Sequence, residues 1–299
     1  MAGPGGVPMD QRDGWIWYDG ELVPWKDAKL HVLTHGLHYA SSVFEGQRAY
    51  GGEIFKLRQH TERLIASAKT LDFEIPFSAD EIDEAARQVL KANKLTDAYV
   101  RPIAWRGSET ISVPARGNKV HLAVAAWEWP SYFSPEVKAK GIRLMWSKWK
   151  RPAPDTIPWQ AKAGGLYMIC TLSKHDAMDA GYDDALMLDY RGLVAESTGS
   201  NVFFIKGNEL HTPIPDCFLN GITRQTVIAL AKEQGYQVIE RQIRPEELGD
   251  FEECFVTGTA AELTPVGEVG DYRFKPGVVT NTLADAYSAA TRPRQIAAE

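Results

Sequence analysis

The segment at residues 160–167 reads Gln-Ala-Lys-Ala-Gly-Gly-Leu-Tyr and places one lysine next to two glycines and shortly before a tyrosine. A lysine that forms Schiff bases needs clear space for an approaching carbonyl compound and a partly desolvated setting that lowers its pKa. Lys162 is therefore a candidate nucleophile. Because a lysine in a glycine-containing loop is more often a solvated surface residue, the other segments must support this interpretation.

The composition indicates a soluble globular protein that acts on small molecules. The chain has 299 residues, enough for two domains, and a hydrophobic content of 44% can fill their cores. The net charge of -6 argues against a nucleic-acid-binding surface, which needs lysine and arginine in excess on one face. No apolar run approaches the length of a membrane-spanning helix.

The cysteines and the N-terminal segment favour a cytoplasmic protein. Cys170, Cys217 and Cys254 are scattered and form no Cys-x-x-Cys motif, so the sequence predicts neither a disulfide framework nor a zinc site. Residues 1–14 are rich in glycine, proline and aspartate and lack the apolar segment of a signal peptide. We expect a flexible tail at 1–14 and a reducing cytoplasm as the location.

The first half of the chain has the pattern of an antiparallel sheet covered by two helices. Gly20 and the pair Gly51-Gly52 separate apolar segments, as in tight hairpin turns. Ser78-x-x-Glu81 has the form of a capping box at the start of a helix. The predicted elements are strands at 15–18, 22–25, 43–50, 53–57, 98–105 and 119–127 and helices at 58–73 and 78–90.

The second half alternates between strands and helices and predicts a larger domain. A proline-containing segment after residue 129 indicates the boundary, so we expect a small α+β domain at 15–129, an interdomain loop at 130–138 and the larger domain at 139–299. The predicted elements are strands at 142–147, 185–189, 202–205, 237–241 and 254–257 and helices at 166–180, 222–234 and 278–290.

Two segments offer backbone N–H groups and threonine hydroxyls suited to a phosphate or a carboxylate. Gly221-Ile222-Thr223-Arg224 opens a predicted helix, and Thr257-Gly258-Thr259-Ala260-Ala261 follows a predicted strand. Each segment alone is a weak signal, because Thr223 is more often a simple helix N-cap.

Several polar residues have a functional interpretation beside a plain one. Arg101 and Tyr99 share a strand face with apolar residues, which is unusual for an arginine unless it binds an anion. Glu196 would be a solvated loop acid unless it has a buried cationic partner. The histidines at 31, 35 and 38 have no clustered cysteine or carboxylate partners, so no metal site is predicted.

Taken together, the motifs of the chain resemble those of bacterial branched-chain aminotransferases, which are class IV, fold type IV pyridoxal-phosphate enzymes. The resemblance runs from about Trp15 to the end of the chain, and the order of seven motifs is far more specific than any one motif. The motifs lie at 38–48, 60–64, 98–102, 161–167, 196–201, 221–224 and 258–262.

The resemblance implies a fold and a reaction. The fold is an α+β, two-domain fold type IV architecture with a smaller N-terminal α/β domain and a larger C-terminal domain that has a mixed sheet or barrel-like core. The reaction is transamination of L-leucine, L-isoleucine and L-valine with 2-oxoglutarate, with pyridoxal 5'-phosphate as cofactor. A homodimer or a higher homo-oligomer is expected, because members of this family borrow a loop from a neighbouring subunit.

The resemblance also implies roles for the residues that contact the cofactor. Lys162 matches the catalytic lysine that holds the cofactor covalently and moves the proton between the substrate Cα and the cofactor. Glu196 matches the acid that pairs with the pyridine nitrogen, so that the ring can act as an electron sink. Tyr167 matches the partner of the phenolic oxygen. The phosphate-binding set is Arg63, Ile222, Thr223 and Thr259, with Leu219 packed on the ring.

The substrate-binding residues are implied in the same way. Thr259 and Ala260 match the turn that takes the α-carboxylate, and Arg101, backed by Tyr99, matches the residue that receives the distal carboxylate of 2-oxoglutarate. An arginine at the edge of an apolar pocket suits a site that takes both an aliphatic branch and a carboxylate. The apolar pocket is formed by Tyr39, Phe44, Trp129 and Tyr167.

Two departures from the family pattern leave other substrates open. The segment 106–113 lacks the Gly-Met-Gly-like loop of close relatives, and Ser200 stands where an acid is frequent. One alternative keeps the fold and cofactor but acts on D-amino acids or (R)-amines, or is a lyase of the aminodeoxychorismate type. A second alternative is a non-catalytic protein that binds phosphorylated ligands, which the presence of both Lys162 and Glu196 disfavours.

Overall fold

The computed structural model describes residues 7–129 and 135–292 and divides them into two compact units. Unit 1 comprises the described residues up to 129, the segment 161–165 and Arg292, and unit 2 comprises 135–160 and 166–291. The short segment that carries Lys162 thus belongs, by its contacts, to the unit formed by the N-terminal half. The tail predicted at 1–14 and the loop predicted at 130–138 lie partly outside the described residues.

Unit 1 is an antiparallel sheet with helices packed against it. In chain order its elements are β1 (Trp15–Tyr18), β2 (Glu21–Pro24), α1 (His35–Tyr39), β3 (Ser42–Phe44), β4 (Gln47–Tyr50), β5 (Glu53–Ile54), α2 (Leu57–Thr70), α3 (Ala79–Ala92), β6 (Ala98–Arg106) and β7 (Val120–Glu128). The strand order is β2-β1-β7-β6-β4-β5, and β3 also pairs with β6. Short 3-10 helices lie at Met9–Gln11 and Trp25–Asp27.

The central hairpin of unit 1 places its residues on two different faces. β6 and β7 pair from Ala98 opposite Glu128 to Arg106 opposite Val120. On one face, Val100 and Ala104 are fully buried. Burial of an aliphatic side chain of valine size stabilises the fold by about 1.5–3 kcal/mol. Alternation along the strand then presents Tyr99 and Arg101 on the opposite face.

The strand predicted at 43–50 is divided into β3 and β4 by Glu45 and Gly46. Glu45 donates its N–H to the carbonyl of Pro102 at 2.8 Å, while its side chain is fully buried. A Cβ atom on Gly46 would overlap the hydroxyl of Tyr99, so only glycine lets that hydroxyl approach the backbone here. The interruption is therefore built from tertiary contacts that a strand pattern does not reveal.

The two long helices of unit 1, α2 and α3, begin and end close to their predicted positions, whereas the short α1 was not predicted. The capping box is confirmed: Ser78 Oγ accepts from the Glu81 N–H at 3.3 Å, and the Ser78 N–H donates to Glu81 Oε2 at 2.7 Å. α2 ends at Thr70, three residues before the predicted end, because Asp72 takes a positive φ of 58°. The Phe73 N–H then closes the turn on the carbonyl of Ala68 at 3.1 Å.

Unit 2 contains a mixed sheet in which six strands close into a barrel. Its elements are α4 (Pro135–Lys140), β8 (Ile142–Trp146), α5 (Met168–Asp179), β9 (Asp184–Leu188), β10 (Val194–Ser197), β11 (Asn201–Lys206), β12 (Glu209–Pro213), α6 (Ile222–Glu233), β13 (Gln237–Arg241), β14 (Glu253–Gly258), β15 (Glu262–Val269), β16 (Tyr272–Arg273) and α7 (Val278–Thr291). The order is β10-β9-β8-β15-β14-β11-β12-β13, and pairing of β10 with β11 closes the ring. The barrel-like core implied for this part of the chain is confirmed.

The barrel of unit 2 is filled by aliphatic and aromatic side chains. Val202 and Phe204 of β11 are fully buried and alternate with residues on the other face of the strand. Phe204 stacks on Phe251, with ring centroids 5.1 Å apart. The buried cluster comprises Ile142, Leu144, Leu186, Val194, Val202, Phe204, Ile243, Leu248, Phe251, Cys254, Val256, Val266, Val269 and Phe274.

Four strands of unit 2 are missing from the sequence prediction: β10, β12, β15 and β16. β15 contains Pro265, which pairs with Phe255, and proline argues against a strand because it cannot donate to the ladder. β10 carries Glu196 in a segment that has the composition of a turn. Among the described helices, none has the length and apolar character needed to cross a membrane.

Candidate active site

The backbone around Lys162 is held from two sides within unit 1. The Lys162 N–H donates to Ser67 Oγ of α2 at 3.0 Å, and its carbonyl accepts from the Phe44 N–H of β3 at 3.0 Å. Cβ atoms on Gly164 and Gly165 would lie 2.7 Å from Ser42 Oγ and 2.9 Å from Ala40 Cβ. The two glycines therefore allow the segment at residues 40–42 to pack closely against this backbone. The sequence alone suggested instead that they keep space open around the amine.

The ammonium group of Lys162 lies in a desolvated and cationic environment. Burial and the charge of Arg63 lower the pKa of Lys162 to about 8, against an ordinary value of 10.5. Its Nζ is 4.9 Å from the ring centroid of Phe44. The lowered pKa expected for a Schiff-base lysine is present in this structure.

Arg63 is held by a buried carboxylate. It lies on α2, and its Nε and Nη2 donate to the two oxygens of Glu45 at 2.6 and 2.8 Å. Glu45 also accepts from His60 Nδ1 at 2.7 Å. Burial alone would raise the pKa of Glu45, but the charge of Arg63 and the hydrogen bonds hold it well below its ordinary value. The guanidinium of Arg63 is thus held in place by Glu45 and is not a solvated group on the polar side of the helix.

Arg101 lies among aromatic rings in unit 1. Its Cζ is 4.6 Å from the ring centroid of Phe44 and 5.2 Å from that of Tyr99, and its Nη2 donates to Tyr99 Oη at 3.1 Å. Trp129 contacts Tyr99 with ring centroids 4.9 Å apart. Tyr39, also predicted for this pocket, stacks on His35 and is 46% exposed. The structure therefore groups Arg101, Tyr99, Phe44 and Trp129.

Glu196 of unit 2 is buried on β10, and its interpretation as a solvated loop acid is wrong. It is 9% exposed and accepts from Asn201 Nδ2 at 3.2 Å. Arg151, which is 4% exposed, places its Nε 3.5 Å from Glu196 Oε1. Burial opposes the charged form of Arg151, yet the Glu196 carboxylate raises the pKa of Arg151 above its ordinary value. The buried cationic partner required by the functional interpretation is present.

Asn201 connects Glu196 to the start of α6. Its Nδ2 donates to the carbonyl of Leu219 at 3.0 Å, and its Oδ1 accepts from the Gly221 N–H at 3.1 Å. A Cβ on Gly221 would overlap this oxygen, which accounts for the glycine. The first turn of α6 presents Ile222 and the buried Thr223.

The N-terminus of α6 and the adjoining strand offer hydrogen-bond donors that suit an anion. Gly221 provides no side-chain cap, so the first N–H groups of this twelve-residue helix suit an anion. Thr257 pairs with Asn201 across the sheet, and its buried Oγ1 has no hydrogen-bond partner within the described residues. These donors fit a phosphate group. The turn that contains Thr259 and Ala260 follows directly between β14 and β15.

A cluster of three side chains in unit 2 has the spacing of metal ligands. Oxygen atoms of Asp189 and Asp216 and the Cys217 sulfur lie within 4.8 Å of one another. Arg191 donates to both carboxylates, at 2.7 and 2.8 Å, and so supplies the positive charge that a cation would bring. Arg224, from the helix motif, is likewise occupied: its Nη2 pairs with Glu240 at 2.7 Å.

Four residues of these arrangements were missed by the sequence prediction of the site. Glu45, Ser67, Arg151 and Asn201 each hold a predicted site residue. Glu45 and Asn201 stand inside the family motifs, so their position was a usable signal. Ser67 and Arg151 lie outside every motif and become visible only through contacts over 95 and 45 residues of sequence.

Known proteins are similar to this chain in sequence and in architecture. Residues 42–269 match the family described as Amino-transferase class IV. A branched-chain-amino-acid aminotransferase of Pseudomonas aeruginosa is 45% identical over 288 residues, which are 94% of each chain. A solved structure of the T.th. branched-chain amino acid aminotransferase with pyridoxamine 5'-phosphate superposes with a TM-score of 0.92 at 40% identity and covers 95% of this chain and 96% of that one.

A further structure of the T.th. enzyme contains N-(5'-phosphopyridoxyl)-L-glutamate. It superposes with a TM-score of 0.89 at 39% identity and covers 95% of this chain and 96% of that one. The family match spans most of the sequence, and the fold and the position of Lys162 in its motif agree with it. The chain belongs to the class IV aminotransferase family and has the fold type IV architecture.

Proposed function

We propose that this enzyme transfers the amino group of L-leucine, L-isoleucine or L-valine to 2-oxoglutarate, with pyridoxal 5'-phosphate as cofactor. The observation that carries the proposal is Lys162, whose buried amine has a pKa of about 8 beside Arg63. The family membership and the names of the relatives support the same reaction. The phosphopyridoxyl-glutamate in one relative supports glutamate as a reaction partner.

Lys162 acts as the base of the reaction. At pH 7 an amine with a pKa of about 8 is roughly one-tenth deprotonated, against less than about one-thousandth at the ordinary value. Bound pyridoxal phosphate supplies an aldehyde that carries the amino group and a ring that accepts the electron pair released at the substrate Cα. Lys162 would hold the aldehyde carbon of the cofactor through Nζ, and after the substrate amine has replaced it at that carbon, the freed Lys162 amine would take the proton from the substrate Cα.

Glu196 is proposed to hold a proton on the pyridine nitrogen. A carboxylate beside the buried cation Arg151 and hydrogen-bonded by Asn201 is stabilised in its ionised form. An ionised acid favours the protonated ring, which is the better electron acceptor. Tyr167 is proposed to bind the phenolic oxygen, and Leu219 to pack on the ring.

The cofactor phosphate is proposed to bind Arg63 and the first turn of α6. Ile222 and Thr223 offer N–H groups at a helix N-terminus, where the helix dipole favours an anion. Thr259 completes the set that the resemblance implies, and the unpartnered hydroxyl of Thr257, considered among the described residues, supports an anion near β14.

Arg101 is proposed to decide between the two kinds of substrate. Its Nε is buried without a hydrogen-bond partner among the described residues, so it has unused capacity for a carboxylate. The rings of Phe44 and Tyr99 that flank it suit an aliphatic branch when no carboxylate is present. Tyr39, Trp129 and Tyr167 are proposed as further walls, and Thr259 and Ala260 as the α-carboxylate site.

A cytoplasmic homodimer is part of the proposal. Two segments of unit 1 expose apolar side chains, and His35 joins them through a 3.0 Å hydrogen bond from Nε2 to the carbonyl of Ser112. Exposed apolar groups on this scale mark protein interfaces more often than free surface. The exposed residues are Leu30, Val32, Leu33, Leu37, Ile111 and Val113.

An absorption spectrum tests the proposed reaction. The purified protein should show the visible band of lysine-bound cofactor, L-leucine should bleach it, and 2-oxoglutarate should restore it. Lys162→Ala should lack the band and lose turnover. Bleaching by D-amino acids or aryl amines but not by L-leucine would refute the substrate class, and absence of the band after reconstitution with pyridoxal phosphate would refute the enzyme assignment.

A further inference from the structure

One face of α2 organises the buried polar groups around Lys162. His60, Arg63 and Ser67 are spaced three and four residues apart, so their side chains lie on the same side of the helix. Ser67 holds the backbone of Lys162, while His60 and Arg63 both contact Glu45. Glu45 is placed opposite this face by the break between β3 and β4.

Glu45 fixes the plane of the Arg63 guanidinium. The fork formed by Nε and Nη2 meets both carboxylate oxygens at 2.6 and 2.8 Å, and a paired contact of this kind restricts rotation as well as position. Glu45 is fully buried and the Arg63 side chain is 17% exposed. A buried carboxylate is costly unless every oxygen is satisfied, so this arrangement is specific.

His60 fixes Glu45 in turn. It is 2% exposed, and burial lowers its pKa, so the ring is neutral at physiological pH. Because a carboxylate can only accept, Nδ1 of His60 is the donor in the 2.7 Å contact with Glu45 Oε2. The neutral ring supplies a hydrogen bond without a second positive charge.

We propose that Glu45 and His60 are positioning residues that hold the Arg63 guanidinium in the orientation that binds the cofactor phosphate. The inference rests on the proposed role of Arg63 in phosphate binding. In phosphate binding, Glu45 and His60 act through Arg63. Without Glu45, the guanidinium loses the contacts that fix its plane. Phosphate binding would then have to order the Arg63 side chain, and this entropy cost lowers the affinity.

The Glu45 carboxylate also affects the pKa of the Lys162 amine. This pKa can be measured, and it would not change if Glu45 had only a structural role. Arg63 lowers the pKa of Lys162 and Glu45 raises it. Replacement of Glu45 by a neutral residue should therefore lower the pKa of this amine further. The pKa is measured on the cofactor-free protein from the pH dependence of imine formation with pyridoxal, which lacks the phosphate.

The test compares pyridoxal 5'-phosphate with pyridoxal, because the ratio of their affinities reports the phosphate contribution alone. In the full-length cofactor-free protein, Glu45→Gln should lower this ratio by about 10- to 100-fold, as expected for loss of charge-assisted hydrogen bonds. Pyridoxal affinity should change by less than about threefold, and the amine should titrate at lower pH. Asp83→Asn is the matched control: it removes another buried carboxylate, which contacts Thr61 of α2 and Arg58, and should leave the ratio unchanged.

A second pair of variants keeps the test decisive if Glu45→Gln does not fold. His60→Leu should lower the ratio, whereas His60→Asn, which keeps a donor near the Nδ1 position, should restore it. Equal ratios for these two variants would overturn the inference. An unchanged affinity ratio in a folded Glu45→Gln protein would also overturn the inference. The same holds if adding Glu45→Gln to Arg63→Met lowers the ratio further.

Arg63→Met separates failure of the inference from failure of the proposed function. A ratio that falls in Arg63→Met but not in Glu45→Gln removes only the positioning role. A ratio that does not fall in Arg63→Met removes Arg63 from the phosphate site, and the inference falls with it.

Discussion

Arg151→Met should destabilise the cofactor-free protein strongly, because it leaves the Glu196 carboxylate buried without its cation. The two side chains are 5% and 11% exposed, and Arg151 Nε lies 3.5 Å from Glu196 Oε1. At that distance and an effective dielectric constant of about 20, the attraction between unit charges is about 5 kcal/mol. Removal of one partner from such a pair costs about 3–5 kcal/mol, so we expect the free energy of unfolding to fall by this amount.

Urea unfolding followed by circular dichroism measures this loss, and a double substitution identifies its cause. Glu196→Gln in the Arg151→Met background should recover part of the lost stability, because it removes the unpaired charge and leaves an amide that can still accept from Asn201. Lys148→Met is the control. It breaks the exposed pair between Lys148 and Asp176, at 3.0 Å, and should cost less than about 1 kcal/mol.

Two results would refute the reasoning. A loss below about 1 kcal/mol in Arg151→Met would mean that water or another group already compensates the Glu196 charge. No recovery in the double variant would mean that the loss comes from packing around Arg151, for example its contact with Cys170 Sγ at 3.5 Å, and not from the stranded carboxylate.

Three further predictions follow from other sites. The free energy of unfolding of the cofactor-free wild type, relative to that of Lys162→Met, should rise by up to about 3 kcal/mol from pH 8 to pH 10.5. The reason is that the pKa of Lys162 is about 8 in the folded protein and higher in the unfolded chain, so the unfolded chain binds more protons in that range. Urea unfolding measures this difference, and a difference that does not change with pH would contradict the prediction. Arg101→Ala should lower kcat/KM for 2-oxoglutarate about 10- to 100-fold more than for L-leucine, since it meets only the dicarboxylate, and equal losses would argue against this role. Gln47→Met should raise the unfolding midpoint and stabilise by about 1–2 kcal/mol, because both amide atoms of the buried Gln47 lack partners among the described residues, and a lower midpoint would show that they are satisfied.

Local signals in the sequence were sufficient where the cause of a structure is itself local. The capping box at Ser78 and Glu81 and the hairpin at Gly20 depend on residues within a few positions of one another, and both are confirmed. The order of the motifs was sufficient for the family, because seven matches in sequence exclude most unrelated folds. A mixed sheet or barrel-like core was implied only by that resemblance, and β10, whose pairing with β11 closes the barrel, was not predicted.

The sequence did not predict the elements whose formation depends on a partner far away in the chain. Pro265 argues against a strand, yet β15 forms because β8 and β14 flank it on both sides. At the break between β3 and β4, Glu45 pairs with Arg63, 18 residues later, and Gly46 leaves space for the hydroxyl of Tyr99, more than 50 residues later. Tertiary pairing outweighs local preference at such points.

The sequence by itself determined the family, the position of the proposed catalytic lysine and local features such as the capping box. The tertiary structure alone decided the electrostatics. Lys162 has a lowered pKa because Arg63, almost one hundred residues earlier, is brought beside its desolvated amine. Glu196 changes from an apparent loop acid to a buried ion because Arg151 is folded against it. The physical reason is that a pKa depends on burial and on charges within a few ångströms, and the chain fixes both only when it folds.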